Sequence, residues 1–208
     1  MTPTHTLSAT GAAMYRLSLV TRMWLCHLTL AALLGIAWVW GWLDSMVATD
    51  TLYLVRVNCC LFLLGVVIAQ RRAHWLSREL DEDDDSKCLQ YRLDLNRGMH
   101  PAVAYDTLRA ALGWRIGSVS FIASMIMLFG LAGTIVGFIV ATSAVTPEAA
   151  SDAGQVGPMA ATMIGGVGLA LYKTLVGIAL GGGYLMLMHR LLAGAATHAL
   201  SRAVHGGR

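Results

Sequence analysis

Two stretches decide how this chain folds: Gly130-Leu131-Ala132-Gly133-Thr134-Ile135-Val136-Gly137 and Ala170-Leu171-Tyr172-Lys173-Thr174-Leu175-Val176-Gly177. Each lies in a long apolar run, and each sets one threonine among small residues. Gly133/Gly137 and Gly177/Gly181 are four residues apart, a spacing that puts small residues on one helical stripe and lets two backbones approach closely in lipid. On a helical wheel Thr134 shares a face with Gly130, Gly137, Phe138 and Ala141. Thr174 shares one with Ala170, Gly177, Ile178 and Gly181. The expected helix-packing residues are therefore Gly130, Gly133, Gly137, Ala170, Gly177 and Gly181. A single intramembrane threonine usually bonds its own backbone four residues back. Two threonines on matching small faces have a second option: to line a cavity and offer hydroxyls to water or to a partner's side chain.

Composition places these stretches in a membrane. The chain has 208 residues, of which 56% are hydrophobic and 13% charged, with a mean hydropathy of +0.61. Soluble domains carry about a quarter charged residues. The net charge of +3 gives no reason to expect nucleic acid. Cys26, Cys59, Cys60 and Cys88 form no C-x-x-C pair, so neither a zinc site nor a disulfide framework is expected. They read as small buried hydrophobes. No catalytic motif is present, so we expect neither an enzyme nor a cofactor.

Four spans follow from the apolar runs. Residues 1–22 form a basic segment with Arg16 and Arg22. The run Met23–Leu43 is long enough to span and is followed by no Ala-x-Ala site, which reads as a retained first transmembrane helix. Trp38, Trp40 and Trp42 crowd its far end as an aromatic belt. The second span runs from Thr51 to Gln70, with Arg56 and Asn58 near its outer end, placed to snorkel to the interface. Together residues 23–70 make two peripheral spans. Residues 71–116 are a polar segment. Its acidic run Asp81–Asp85 lacks the glycine and spaced ligands of an EF-hand and reads as a solvated loop. Pro101 suits a first helical position, and Val103, Leu108, Leu112 and Ile116 recur at helical spacing. That helix is expected to run on into the third span, Gly117–Ser143. The next loop holds Thr146-Pro147-Glu148, a cap, first-turn proline and first-turn acid that predict a short helix. Pro158 opens the fourth span, Met159–Met188. The helix pair is assigned to 117–192 and a basic tail to 193–208.

Charge sets the expected orientation. The first segment, residues 71–115 and the tail carry most of the Lys and Arg, whereas the other two loops are acidic. The positive-inside rule puts both termini and the polar segment in the cytoplasm. The last two spans exceed what a bilayer needs: thirty helical residues reach about 45 Å against a core of about 30 Å. We expect them to project into the cytoplasm. The fold class is all-α, with four transmembrane helices.

Here the residues carry a resemblance. Gly130-Leu131-Ala132-Gly133-Thr134-Ile135-Val136-Gly137 resembles the Gly-Leu-Leu-Gly-Thr-Val-x-Gly stretch of the MotA/TolQ/ExbB proton-channel family. Ala170-Leu171-x-x-Thr174-x-x-Gly177 is similar to the Ala-Leu-x-x-Thr-x-x-Gly of that family's next helix. The similarity covers residues 100–192, and the first hundred residues match only in topology. It implies a homo-pentamer around two copies of a single-span partner of the ExbD/TolR/MotB kind, in a bacterial inner membrane. It also implies that an aspartate on the partner carries the proton, faced by Thr134 and Thr174, and that ion flow drives mechanical work. None of the four spans contains an Asp or Glu, although proton relays at membrane depth need ionisable groups. That fits a subunit whose acid comes from a partner, and it fits equally a scaffold that moves no ions.

Lys173 departs from the family pattern. A charged lysine in mid-span costs about 2.5 kcal/mol or more on insertion scales. It is offset about 100° from Thr174 on the wheel, which directs it toward a neighbouring subunit. Two readings stay open. One is a salt bridge to the partner's carboxylate or a barrier that alters ion choice. The other is snorkelling, or capping by carbonyls at a wet interface. His27, a lone histidine, reads as packing. Haem-carrying, quinone-linked disulfide-forming and small antiporter four-span proteins would need more intramembrane histidines, C-x-x-C pairs or a membrane glutamate, and all are missing.

Overall fold

The structure, a computed structural model, describes residues 4–42, 53–79, 87–143, 145–146, 151 and 154–205. Among these residues every regular element is a helix. In chain order they are α1 (Thr4–Val39), α2 (Leu54–Glu79), α3 (Lys87–Asn96), α4 (Pro101–Ser143), α5 (Val156–Gly177), a π-helical segment (Ile178–Leu185) and α6 (Met186–His205). Four stretches are long and apolar enough to cross a membrane: Leu19–Val39, Leu54–Arg78, Pro101–Ser143 and Val156–Val204. Lipid offers backbone groups no hydrogen-bond partners, so a spanning segment must satisfy them internally, as a helix does. The chain is a multi-pass membrane protein. The acidic run 81–85 and the Pro147-Glu148 helix start lie outside the described residues.

Local sequence explains the helix ends. Gly98 takes a left-handed φ of +85° just past α3. Its N–H reaches the Leu95 carbonyl at 3.0 Å, and the Met99 N–H reaches that of Asp94 at 3.0 Å. This paired closure uses the last carbonyls of the helix and needs a residue without a Cβ penalty. Two residues on, His100 Nδ1 accepts from the Ala102 N–H at 3.3 Å, and Pro101 opens α4. The helix then continues through Ser143 without interruption, as the pattern from Pro101 predicts. The exposed Trp38, Trp40 and Trp42 cluster at the end of α1, with the last two rings edge to face at 5.6 Å.

The chain divides into two compact units. The first comprises residues 1–31, 66–121 and 186–208. Leu19 and Met23 of α1, Ala69, Ala73 and Leu76 of α2, Leu108, Leu112 and Ile116 of α4, and Met188 and Leu192 of α6 are buried in its core. Their spacing of three and four residues is the apolar stripe of a packed helix. His27 bonds Gln70 at 3.2 Å and meets Trp24 edge to face. The Arg115 guanidinium stacks over the Trp75 ring at 4.3 Å, a cation–π contact that joins α2 to α4.

The second unit comprises residues 32–65 and 122–185. Here α2 presents Val55, Asn58, Phe62 and Gly65, all buried. Phe62 packs edge to face on Tyr184 at 5.5 Å. A Cβ on Gly65 would lie 2.7 Å from Leu185 Cδ1, so this glycine makes the room that leucine fills. The expectation that Asn58 snorkels is corrected: it is 2% exposed, because it shares the inward stripe with Phe62. Arg56 behaves differently. It is exposed and lies over the Tyr53 ring at 4.7 Å.

Candidate functional site

The two glycine-threonine stretches meet face to face in the second unit. Along α4 the buried stripe is Ala123, Ile126, Gly130, Gly133, Gly137 and Ala141. Opposite it run Gly166, Ala170, Lys173, Gly177 and Gly181. The order reverses between the two helices, so they pack antiparallel. Added Cβ atoms measure how closely. One on Gly177 would sit 2.9 Å from Gly130 Cα, and one on Gly137 would sit 2.6 Å from Ala170 Cβ. One on Gly166 would lie 2.8 Å from Ala141 Cβ, and one on Gly181 would lie 2.6 Å from the Ala123 carbonyl oxygen. Ordinary contacts between carbons are about 3.5–4.0 Å. The helices are therefore closer than any side chain at these positions permits. Dispersion across this long close contact holds them together, because lipid provides no hydrophobic drive between helices.

Thr134 and Thr174 stand side by side at one edge of the seam, both half-buried. Their hydroxyls hydrogen-bond each other. Each also lies within reach of the carbonyl four residues back, Thr134 of Gly130 at 3.3 Å and Thr174 of Ala170 at 3.3 Å; with one proton apiece, the hydroxyl that donates to its neighbour leaves its own carbonyl free. Thr174 lies 3.5 Å from the Gly130 carbonyl as well. The self-bonding and the cross-helix options read from the sequence thus coexist, sharing the hydroxyl protons among several acceptors. On the outer faces Leu131, Ile135, Phe138, Leu171, Leu175 and Ile178 are exposed.

Lys173 occupies a different place from the one its wheel position indicates. It is 2% exposed and turns into the seam between α4 and α5. A Cβ on Gly133 would lie 2.8 Å from Lys173 Cδ and 2.9 Å from its Cβ. Gly133 is thus the slot through which the lysine stem passes. The wheel placed Lys173 toward a neighbouring subunit because angle alone ignores the missing side chain opposite. Its Nζ is buried with no hydrogen-bond partner, so neither snorkelling nor carbonyl capping describes it within the chain. Among the described residues no group of three His, Cys, Asp or Glu is placed to hold a metal.

The π-helical segment Ile178–Leu185 is a departure from the single regular span read over Met159–Met188. It follows directly on Thr174 and Gly177 and contains Gly181-Gly182-Gly183. Three glycines without Cβ atoms ease the wider turn, and π-helical turns are frequent at functional sites. That glycine run was the sequence signal for it. Asn58 went unrecognised as a buried polar group for a similar reason: its inward stripe depends on which face of α2 finds a neighbour.

Compared with protein-family models, with curated proteins and with solved structures, the chain matches none.

Proposed function

We propose that this chain is a membrane subunit of an ion-driven, specifically proton-driven, motor complex in a bacterial inner membrane. Five copies form a ring around two copies of a single-span partner, with both termini and the ends of the last two spans in the cytoplasm. The carrying observation is the shared hydroxyl pair of Thr134 and Thr174 on a helix pair joined by glycines. The pair offers mobile protons and lone pairs at the edge of the seam, where a partner's carboxylate can bond to either hydroxyl as it gains and loses a proton. Apart from Asp106, near the start of Pro101–Ser143 and outside the span read over 117–143, the described spans bring no acid of their own, which is why a partner is required. Lys173 belongs to the same pathway: its Nζ is buried without a hydrogen-bond partner, and an anion brought near it would supply one.

A second reading is supported by the closeness of the seam. A non-conducting scaffold also needs glycine faces, and both threonine hydroxyls already have acceptors. Proton flux into liposomes that hold the chain and its co-expressed partner separates the two. Flux that falls with Thr134→Ala, while membrane insertion persists, is expected of the motor. A complex that assembles fully but passes no protons in any form refutes it.

A further inference from the structure

Within the first unit, Val67, Arg71, His74 and Arg78 of α2 are all exposed. At about 100° per residue they fall within about 60° of one another around the helix. They form one outward stripe, apolar toward the span and basic beyond it. The depth of that change is marked by α1. His27 bonds Gln70, the residue before Arg71, and meets Trp24 edge to face. Trp24 is exposed, and tryptophan collects where hydrocarbon gives way to headgroups. Arg71 therefore stands at headgroup depth. Among the described residues neither Arg71 nor His74 has a side-chain hydrogen bond or ion pair. No acid occurs in the sequence between Asp50 and Glu79, so α2 brings none to this level.

We propose that this stripe binds an anionic phospholipid, its phosphate held by Arg71 and His74 and an acyl chain lying along Val67. Side chains three apart on a helix have Cβ atoms about 5–6 Å apart, a gap that one phosphate bridges. A guanidinium gives a phosphate two parallel N–H bonds, and an imidazole N–H donates to a third oxygen. Arg78, one turn further from the span, adds positive potential on the same face. A zwitterionic headgroup sets its own ammonium against the phosphate, whereas an anionic one leaves that charge for the protein to meet. Basic residues beside a span attract anionic lipid in general; this stripe supplies a fixed place for one. The proposal requires only that the chain crosses a bilayer, and it stands whether or not the motor reading does.

The test is native mass measurement of the full chain in mild detergent, with circular dichroism as the folding check. Phosphatidylglycerol, or phosphatidylcholine with the same acyl chains, is added and the lipids retained per chain are counted. Phosphatidylglycerol is expected to be retained at the lower lipid concentration. Arg71→Ala should weaken that retention about fivefold, His74→Ala should weaken it as well, and neither should alter retention of phosphatidylcholine. Arg190→Ala, which removes an exposed cation from α6, should change neither lipid. Equal retention of the two lipids overturns the proposal, and is the result that a second copy seated on this face would give. A loss with Arg190→Ala as large as that with Arg71→Ala also overturns it, because the attraction would then be diffuse rather than seated on the stripe.

Discussion

Gly137→Ala should separate the central helix pair. The new Cβ would sit 2.6 Å from Ala170 Cβ, 2.9 Å from Ala170 Cα and 3.0 Å from the Gly166 carbonyl oxygen. Two of those three atoms are backbone and have no rotamer to change. Reaching ordinary contact at about 3.5–4.0 Å requires the helices to part by roughly 1 Å. Overpacking of this kind costs about 1–3 kcal/mol. At about 1.4 kcal/mol per factor of ten, the unfolding equilibrium should shift roughly 5- to 150-fold. The assay is reversible unfolding in mixed micelles, followed by circular dichroism as denaturing detergent is added. Gly35→Ala is the control, because a Cβ there meets nothing within 4 Å. If Gly137→Ala unfolds at the same detergent fraction as that control, the close-contact account of this seam is wrong.

Two other substitutions probe the buried polar groups. Lys173→Met keeps the stem that fills the Gly133 slot and removes the unpartnered Nζ. It should raise stability by about 1–3 kcal/mol, the cost of a buried polar group without a partner, while ion flux with the partner falls; unchanged flux would remove Lys173 from the pathway. Asn58→Leu replaces a buried amide whose Oδ1 has no partner, a defect worth about 1–3 kcal/mol. The variant should withstand more denaturing detergent than wild type, and equal or lower resistance would show that the amide is engaged.

Much of the helical framework was legible from residue order. Runs of about 20 apolar residues specify helices in lipid because a helix satisfies the backbone within the segment itself. Gly98-Met99-His100-Pro101 marks a helix stop and the next start by conformational and capping rules that act over a few residues. The small stripe from Gly130 to Gly137 was legible because spacing of three or four residues puts side chains on one face whatever the neighbour is. The threonine pair was legible only as two matching faces; the hydroxyl contact needed the helices to be aligned in register.

What residue order left open has one physical cause. The direction of a long or polar side chain depends on the space across the interface, and that space belongs to another element. Lys173 is turned inward because Gly133, forty residues away in the chain, has no side chain. Asn58 is buried because the face of α2 that holds Phe62 packs on Tyr184, and the asparagine lies on that face. The π-helical segment forms where Gly181-Gly182-Gly183 permits it and where Leu185 fits the gap at Gly65. Composition and local pattern therefore settled that this chain crosses a membrane as helices and which of their faces are small. Packing decided which faces meet, how close they come, and where the buried polar side chains Asn58 and Lys173 are enclosed.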